Sequence, residues 1–410
     1  MLNERTFLNE LFQAALAAAD PAICLPKFLP VPPKGRMIVV GAGKAAAAMA
    51  AAVEAHYQQP VEGLVITRYG YVRPTKQIEV VEAAHPVPDQ AGLDAAQRIL
   101  HMVDGLSAQD MVLFLASGGG SALMSVPAPG IAFADKQALH KALVLSGANI
   151  SEINTVRKRL SAVKGGRLAA ACGRARIHTL VISDVPGDDP AVVASGPTIR
   201  DTNPPERAAE ILAKYNIAVP ASVRAHLAAR EPTQDSEHDF ARDTVQVVSR
   251  AADALKAAAT FARKNGVEPE IWGDALEGEA REVGAAMAGR AQGVAGPRVL
   301  LSGGELTVTV KAKGRGGPNT EFLLGLALAL KGAANIHALS CDTDGIDGSE
   351  DNAGAIVTPD TLARAKAANL NALQYLAGND AYGFFHGLGD LVVTGPTCTN
   401  VNDFRAVLVS

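Results

Sequence analysis

Short apolar runs and helical patterns alternate along the first half of the chain. Runs rich in Val, Ile and Leu, bounded by Gly or Asp, predict strands near 37–41, 63–67, 78–82, 111–116 and 179–183. Apolar residues at helical spacing predict helices near 44–56, 90–103, 121–126, 135–147 and 151–170. Because strands and helices follow each other in turn, the pattern indicates an α/β fold in which a parallel sheet carries helices on both faces.

The alternation continues in the second half. The segments "VQVVS", "EPEIWG", "RVLLSGG" and "IHALSCDTDG" have the length and composition of strands, and "LTVTVKAKG" alternates like a half-exposed strand. Helices are predicted over 250–264, 277–292 and the apolar segment "EFLLGLALALKG". The whole chain is therefore predicted to be of the α/β class.

The segment "EPTQDSEHDFARD", residues 231–243, interrupts this alternation. It is polar and charged, contains a proline and lacks a sustained apolar period, which is typical of a connection between domains. A chain of 410 residues is also too long for one ordinary core. We therefore predict an N-terminal domain over 1–235 and a C-terminal α/β domain over 244–410.

The composition narrows the function classes. Hydrophobic residues make up 48% and charged residues 20%, which suits a soluble α/β enzyme. A net charge of -4 and only 4% aromatic residues provide neither the basic surface nor the stacking platform of a nucleic-acid-binding protein. The apolar runs are strand-sized, the N-terminus lacks a secretory pattern, and the four cysteines form no C-x-x-C pair. We expect a cytoplasmic enzyme with buried free thiols and with no membrane or nucleic-acid partner.

A glycine turn follows the first predicted strand, in "IVVGAGKAAAAMA". Gly41 and Gly43 fit the G-x-G-x-x-A pattern of a dinucleotide-binding turn, but the same turn could serve to present Lys44. A nicotinamide site usually has an acid near the end of the next strand, where this chain has Thr67 and Arg68. Arg68 would suit NADP, so the dinucleotide interpretation stays open.

A second glycine loop, in "FLASGGGSALM", lies between a predicted buried strand and a helix. Consecutive glycines allow backbone amides to converge on an anion, and the loop comprises Ser117, Gly118, Gly119, Gly120 and Ser121. It matches neither the P-loop pattern G-x-x-x-x-G-K-[ST] nor the hydrolase pattern G-x-S-x-G. The loop predicts a phosphate or carboxylate site, the alternative being a tight turn.

The segment "INTVRKRLSAVKGGRLA" is predicted to place a polar stripe on or near one helix face. Its members are Asn154, Arg157 or Lys158, Ser161 and Lys164. Such a stripe suits a nucleotide or an acidic substrate, and a solvated surface is the alternative. The two glycines that follow Lys164 favour the functional interpretation, because they form helices poorly.

Acidic residues follow two other predicted strands. Asp184, Asp188 and Asp189 come at the end of "TLVIS", where α/β sheets bind ligands, and a magnesium or base role is favoured over turn formation. In "SCDTDGIDGSED" the acids lack the complete calcium-loop pattern, so turn and metal roles have equal weight for Asp342, Asp344 and Asp347.

Arg315 lies among glycines in "KAKGRGGPNTEF". A guanidinium on such a loop could reach transferring phosphoryl oxygens, with the adjoining helix start at Asn319 pointing amides the same way. An exposed hairpin tip is the alternative. His85, between a strand and a proline turn in "AAHPVPD", is interpreted as structural.

Eight blocks of the chain, in order, resemble the glycerate 2-kinase family, also called the MOFRL family. They are "VVGAGKAAAAMA", "HPVPD", "LASGGGSAL", "INTVRKRLSAVKGGRLA", "ISDVPGDDPAVVASGPT", "LLSGGELTVTVKAKGRGGPNTEF", "SCDTDGIDG" and "TGPTCTNVNDF". The resemblance implies an N-terminal Rossmann-like domain with a doubly wound parallel sheet, a C-terminal α/β domain with its MOFRL region near 297–405, and an active site in the cleft between them. Members are also labelled hydroxypyruvate reductases, often beside tartrate-degradation genes.

The resemblance further implies ATP- and Mg²⁺-dependent phosphorylation of D-glycerate to 2-phosphoglycerate, with Lys44 and Arg315 as key residues. On this hypothesis Asp189 is the third catalytic residue, and Asp184 and Asp188 bind the metal. The remaining binding residues are Gly41, Gly43, Ser117, Gly118, Gly119, Gly120, Ser121, Asn154, Arg157, Lys164 and Asn319. An NAD(P)H-dependent hydroxypyruvate reductase is the alternative, a ligand-binding regulator ranks last, and a homo-oligomer stays open.

Overall fold

The computed structural model describes residues 3–229 and 237–410, which form two compact units. One unit spans Cys24–Val248, and the other joins the N-terminal segment through Ile23 to Ser249–Ser410. The first 249 residues contain α1 Glu4–Ala19, α2 Pro21–Cys24, β1 Met37–Ala42, α3 Ala46–His56, β2 Glu62–Arg68, β3 Ile78–Ala83, α4 Gln90–Val103, β4 Met111–Ala116, α5 Gly120–Leu123, α6 Phe133–Leu145, α7 Ile150–Arg159, α8 Arg167–Ala171, β5 Arg176–Ile182, α9 Arg207–Lys214, α10 Ala221–Ala228 and β6 Thr244–Ser249.

The sheet of the first unit has the strand order β3-β2-β1-β4-β5-β6. Adjacent strands from β3 to β5 pair in parallel, as the sequence predicts. The strand order reverses direction between β1 and β4, which makes this point the topological switch of a doubly wound sheet. Both strands are buried along their whole length, which explains their uninterrupted apolar sequences.

The alanine run after the first glycine turn forms α3. Its buried face includes Ala46, Ala47 and Ala50, whose small side chains allow a helix to approach a sheet closely. On α4, the side chain of Asp89 accepts a hydrogen bond from the backbone N–H of Gly92 at 3.0 Å and so caps the helix. Both helices lie within the ranges that the periodicity predicts.

The single helix predicted over 151–170 is wrong, because α7 ends at Arg159 and α8 begins only at Arg167. The hydroxyl oxygen of Ser161 accepts the backbone N–H groups of Val163 and Lys164, both at 3.2 Å, in place of helical carbonyls. Two left-handed residues follow, Gly165 and Gly166, at φ +61° and +82°. The predicted polar stripe therefore does not continue along one helix face beyond Arg159.

The second unit contains a mixed sheet with the order β11-β10-β9-β12-β8-β7. Only β7 and β8 pair in parallel among its described pairings, and the other described pairings are antiparallel, within the α/β class that the sequence predicts. Its elements are α11 Ala251–Lys264, β7 Glu268–Gly273, α12 Ala280–Gln292, β8 Arg298–Ser302, α13 Pro318–Leu330, β9 Ile336–Asp342, β10 Gly354–Val357, α14 Thr361–Ala367, α15 Ala372–Ala377, α16 Ala381–Leu388, β11 Leu391–Val392 and β12 Asp403–Val409.

The domain boundaries differ from the predicted ones at both ends. Strand β6 lies beside β5 in the first sheet, so the change of unit comes at Val248 and not before residue 244. Residues 230–236, where the predicted connection begins, lie outside the described residues. Helix α1 packs in the second unit, where the ring centroids of Phe12 and Phe404 are 5.8 Å apart, because its apolar face is buried there.

The predicted strand "LTVTVKAKG" does not form a ladder in the structure. Its backbone is held mainly by side chains, with the Glu279 carboxylate accepting the N–H of Thr309 at 3.1 Å and the Asn379 amide oxygen accepting that of Lys311 at 2.8 Å. The cysteines are buried free thiols, as predicted. None of the helices in the described parts of the chain is long and apolar enough to cross a membrane.

Candidate active site

The two glycine loops meet at the switch point of the first sheet. Ala42 at the end of β1 is in register with Ala116 at the end of β4. The N–H of Ser117 donates to the carbonyl of Ala42 at 3.2 Å, and the N–H of Lys44 donates to the carbonyl of Gly118 at 2.8 Å. Segments that are more than 70 residues apart in sequence therefore form one structure at the edge where α/β sheets bind ligands.

Close approach of the two loops explains why the turn after β1 contains glycines. A Cβ atom on Gly43 would lie 2.0 Å from the Ser117 hydroxyl oxygen, and one on Gly41 would lie 2.3 Å from the Leu115 carbonyl oxygen. The Ser117 hydroxyl also accepts the N–H of Ala45 at 3.0 Å. Gly41 and Gly43 thus hold the turn against β4, and this packing alone requires residues without side chains at both positions.

Lys44 and His85 lie on the same side of the triple-glycine loop. A Cβ atom built on Gly119 would be 3.5 Å from Lys44 Cγ and 3.1 and 3.3 Å from His85 Cδ2 and Nε2. The sequence analysis interpreted His85 as structural, whereas the fold brings it to the loop. The available signal was its position two residues after β3, because parallel strands end at one common edge.

The short helix after the triple glycine is supported by polar side chains. Lys164 is fully buried, and its ammonium donates to the carbonyls of Ser121 and Met124 at 2.8 and 2.7 Å. The hydroxyls of Ser121 and Ser195 are 2.8 Å apart, and Ser195 donates to the side-chain oxygen of Asn154 at 3.2 Å. Asn154 and Lys164 are therefore brought to the loop, and each already has contacts that position it.

Arg157 projects from α7 into the same region. Its guanidinium donates to Asn154 Oδ1 at 3.3 Å and lies 3.0 Å from His140 Nε2 on α6. Burial lowers the pKa of Arg157 to about 10. Because a guanidinium keeps its charge even so, a positive charge is held next to the residues that support the glycine loop.

The acidic turn after β5 lies at the same sheet edge. Val181 is in register with Ala116, so Asp184 follows β5 where the glycine loop follows β4. Asp188 has a left-handed φ of +55°, and the Asp189 carboxylate accepts the N–H of Ala191 at 2.9 Å. Asp189 therefore stabilises the turn, as the alternative interpretation holds. This one hydrogen bond leaves further lone pairs of its carboxylate available.

No three His, Cys, Asp or Glu side chains converge as a metal cage among the residues with described positions. Mg²⁺ commonly needs only one or two protein carboxylates, since waters and substrate phosphates complete its octahedron. Asp184 and Asp188 fit such a partial set by donor type and by their place at the sheet edge. The structure is therefore compatible with a magnesium ion that arrives with a nucleotide.

Arg315 lies on a loop of the second unit whose backbone is held by hydrogen bonds. Its N–H donates to Asp380 Oδ1 at 3.2 Å, and its carbonyl accepts the N–H of Tyr382 at 3.1 Å. The guanidinium lies 4.8 Å from the Tyr382 ring centroid and 3.7 Å from a Glu350 oxygen, with 56% of the side chain exposed. A fixed backbone with an exposed cationic end is what an anion-binding arginine requires.

Asn319 belongs to a buried hydrogen-bond network within the protein and not to an open ligand site. It is fully buried, and its side-chain amide donates to Asp403 Oδ1 at 2.7 Å and to Asp347 Oδ1 at 3.3 Å. Asp347 caps α13 by accepting the N–H groups of Asn319 and Thr320, both at 2.9 Å. Burial raises the pKa of Asp347 to about 6, against the lowering effect of these hydrogen bonds. The network stabilises the helix start that follows the Arg315 loop.

The other acids of this segment also serve the turn. Asp342 Oδ1 accepts the N–H of Asp344, and Asp344 Oδ1 accepts the N–H of Ile346, both at 2.8 Å. From the sequence, turn formation and metal binding had equal weight for these acids. Together with the Asp347 cap, these hydrogen bonds favour turn formation.

The first unit is a doubly wound α/β sheet with a lysine, a histidine and a glycine-rich loop at its switch point, the place where such sheets bind ligands. Two family models match the chain, the domain of unknown function DUF4147 over residues 7–228 and the MOFRL family over residues 298–403. The chain is 39% identical to a D-glycerate 2-kinase of Thermotoga maritima, over 98% of this chain and 97% of that protein. It therefore belongs to the glycerate 2-kinase family, as its motifs predict.

Two further comparisons extend this result. A crystal structure of glycerate kinase from Thermotoga maritima superposes with a TM-score of 0.89, at 38% identity and 99% coverage of both chains. A protein of Agrobacterium vitis named as a hydroxypyruvate reductase is 51% identical, over 100% of this chain and 95% of that protein. The fold is thus that of a glycerate kinase, while both names occur among relatives of similar length.

Proposed function

We propose that this protein is a glycerate 2-kinase that transfers the γ-phosphoryl group of ATP to the 2-hydroxyl of D-glycerate. The observation that carries the proposal is the meeting of Lys44 with the triple-glycine loop, in a chain similar over almost its whole length to a D-glycerate 2-kinase. Phosphoryl transfer depends mainly on positioning and on charge neutralisation, and these residues supply both.

In the proposed reaction the 2-hydroxyl oxygen attacks the γ-phosphorus, the bond to the bridging oxygen breaks, and ADP leaves. Lys44 and the backbone amides of residues 117–121 stabilise the charge on the phosphoryl oxygens. Arg315 adds a second cation to the transferring group. Asp189 accepts the proton of the 2-hydroxyl, which makes it the general base.

Magnesium would be held by Asp184 and Asp188 together with waters and nucleotide oxygens, and it would neutralise phosphate charge when bound. Asn154, Arg157 and Lys164 would bind or orient the acid substrate, since all three lie around the glycine loop. Gly41 and Gly43 contribute by keeping the Lys44 turn against β4.

A second candidate is reduction of hydroxypyruvate with NAD(P)H. It is favoured by the name of the Agrobacterium vitis relative and by the glycine turn at β1. It leaves the triple-glycine loop and the acidic turn after β5 without a role. We therefore rank it second.

The deciding experiment supplies the purified protein with D-glycerate, ATP and Mg²⁺ and measures ADP release. In parallel, NAD(P)H oxidation is measured with hydroxypyruvate. Enolase added without a mutase identifies the product, because it dehydrates 2-phosphoglycerate and not 3-phosphoglycerate. Turnover only in the reductase assay would overturn the kinase proposal.

A further inference from the structure

A small cavity lies behind the triple-glycine loop, within the first unit. Its volume is about 40 Å³, which corresponds to about three water-sized positions. The walls come from α5, α6 and α7 and the segments beside them, and they include Ser121, Lys136, His140, Arg157 and Lys164. Ser121 belongs both to the loop and to the wall, so an occupant of the cavity would adjoin the loop.

Three cationic side chains line this cavity. Besides Arg157 and Lys164, it contains Lys136, which the sequence analysis did not select. Lys136 is buried, with 8% of its surface exposed, and its ammonium donates to the carbonyl of Val126 at 2.9 Å. No Asp or Glu occurs among the described residues of the wall. The cavity wall therefore carries positive charge, and no carboxylate among its described residues neutralises that charge.

Such a cluster of buried cations is electrostatically unfavourable when no anion is bound beside it. Burial, reinforced by the charge of Arg157, lowers the pKa of Lys136 to about 7. Burial, together with Lys136 and Arg157, lowers the pKa of Lys164 well below its usual range. Burial and the same three cations lower the pKa of His140 to about 4. Groups perturbed in this way in a concave site are candidate binding positions, because a ligand of opposite charge would offset the cost of burying them.

We propose that this cavity binds the carboxylate of the hydroxy-acid substrate, with Lys136, Arg157 and Lys164 as its cationic walls. The inference rests on the proposed function and specifies it further, since it locates the site that holds the substrate carboxylate and adds Lys136 to that site. A carboxylate with its adjacent carbon has four heavy atoms, which matches the room available. Leu139, Leu143 and Leu160 form an apolar part of the wall, which offers no hydrogen-bond partners to further polar groups of a ligand.

The test compares Lys136→Met with Lys141→Met, which removes an exposed lysine from the same helix. We expect K136M to raise KM for D-glycerate at least tenfold while KM for ATP stays within twofold, and K141M to change neither. A K136M enzyme whose KM for D-glycerate stays within twofold of wild type would overturn the assignment. Thermal unfolding without ligand verifies that both variants are folded.

Binding without turnover separates this inference from the kinase proposal. Calorimetric titration with D-glycerate in the absence of nucleotide is expected to show binding to the wild type, binding to K141M and none to K136M. That result would support the cavity even if the kinase assay failed. Equal binding by K136M, or displacement of D-glycerate by glycerol as effective as by acetate, would overturn it, because glycerol lacks a carboxylate. Inorganic phosphate that binds tightly where acetate does not would identify a phosphate site and also overturn it.

Discussion

At the residue scale, Lys44 is distinguished by the contacts that fix its backbone. Its backbone N–H is bonded to Gly118, and the turn before it is closed by the contact of Gly43 with Ser117. The start of the side chain therefore has a fixed direction, whereas the four-carbon stem allows the ammonium to follow a phosphoryl group. His85 lies beside it over Gly119, so the two side chains share one surface of the loop.

Replacing Lys44 by Met should lower kcat for glycerate phosphorylation about 100-fold, or ~2.7 kcal/mol of barrier, because a cation on the transferring group is lost. The measurement is steady-state ADP release with both substrates saturating. Lys34→Met removes an exposed lysine just before the opposite end of the same strand and should leave kcat within twofold. A K44M enzyme with more than a tenth of wild-type kcat would contradict the role of Lys44.

At the scale of elements, the triple-glycine loop requires a backbone that other residues adopt poorly. Gly119 has φ +82° at the start of α5, and any added Cβ would meet His85. Lys164 fixes the other end of this four-residue helix through the carbonyls of Ser121 and Met124. The loop is thus held at both ends by contacts within one unit.

Gly119→Ala should destabilise the protein by about 1–2 kcal/mol and also reduce activity at least tenfold. Gly105→Ala is the matched control, because Gly105 has φ +69° and open space around the Cβ position. It should show a similar loss of unfolding free energy, measured in urea, and retain activity. If both variants kept wild-type activity, the loop contact with His85 would have no bearing on catalysis.

The cationic cavity between α5, α6 and α7 predicts a pH dependence of stability. Lys136, facing Arg157, Lys164 and His140, has a folded-state pKa of about 7, below its ordinary 10.5. The unfolded chain binds a proton there that the folded chain does not, so stability rises with pH between about 7 and 10.5. Below pH 7 the full penalty of the buried charge is present.

Urea unfolding at pH 7 and pH 9, without ligand, measures this effect. The free energy of unfolding of the wild type should increase by about 2 kcal/mol more than that of K136M over this interval. Equal increases in the two proteins would mean that Lys136 does not titrate in this range.

At the scale of the whole molecule, the chain combines two different sheets. The first is doubly wound and carries Lys44, while the second is mixed and carries the Arg315 loop in its own unit. Helix α1, at the other end of the chain, packs with the second unit through Phe7 and Phe12. The two proposed cationic catalytic residues therefore come from different compact units of one chain.

Replacing Arg315 by Met should lower kcat at least tenfold, or ~1.4 kcal/mol, because the transition state gains charge on the phosphoryl oxygens. Lys313→Met, an exposed change on the same loop, is the control and should leave kcat within twofold. Both proteins should unfold at the wild-type temperature, since the Arg315 side chain is 56% exposed. Unchanged kcat in R315M would remove Arg315 from the mechanism.

Sequence by itself determined the elements whose signals are local. The strands β1 and β4 follow from continuous apolar runs, because strands buried on both faces have no polar positions. The two glycine loops and Lys44 could be located because close backbone approach demands glycine. The family resemblance was likewise readable from ordered motifs and is confirmed by the comparisons.

Only the tertiary structure decided what depends on distant partners. The break between α7 and α8 depends on a serine side chain and two left-handed glycines, and the antiparallel pairs of the second sheet depend on which strands become neighbours. His85 joins Lys44, and Lys136 joins Arg157 and Lys164, only through strand order and helix packing. The period of apolar residues indicates which face of an element is buried, but it does not indicate which element covers that face, so periodicity could not predict these groupings.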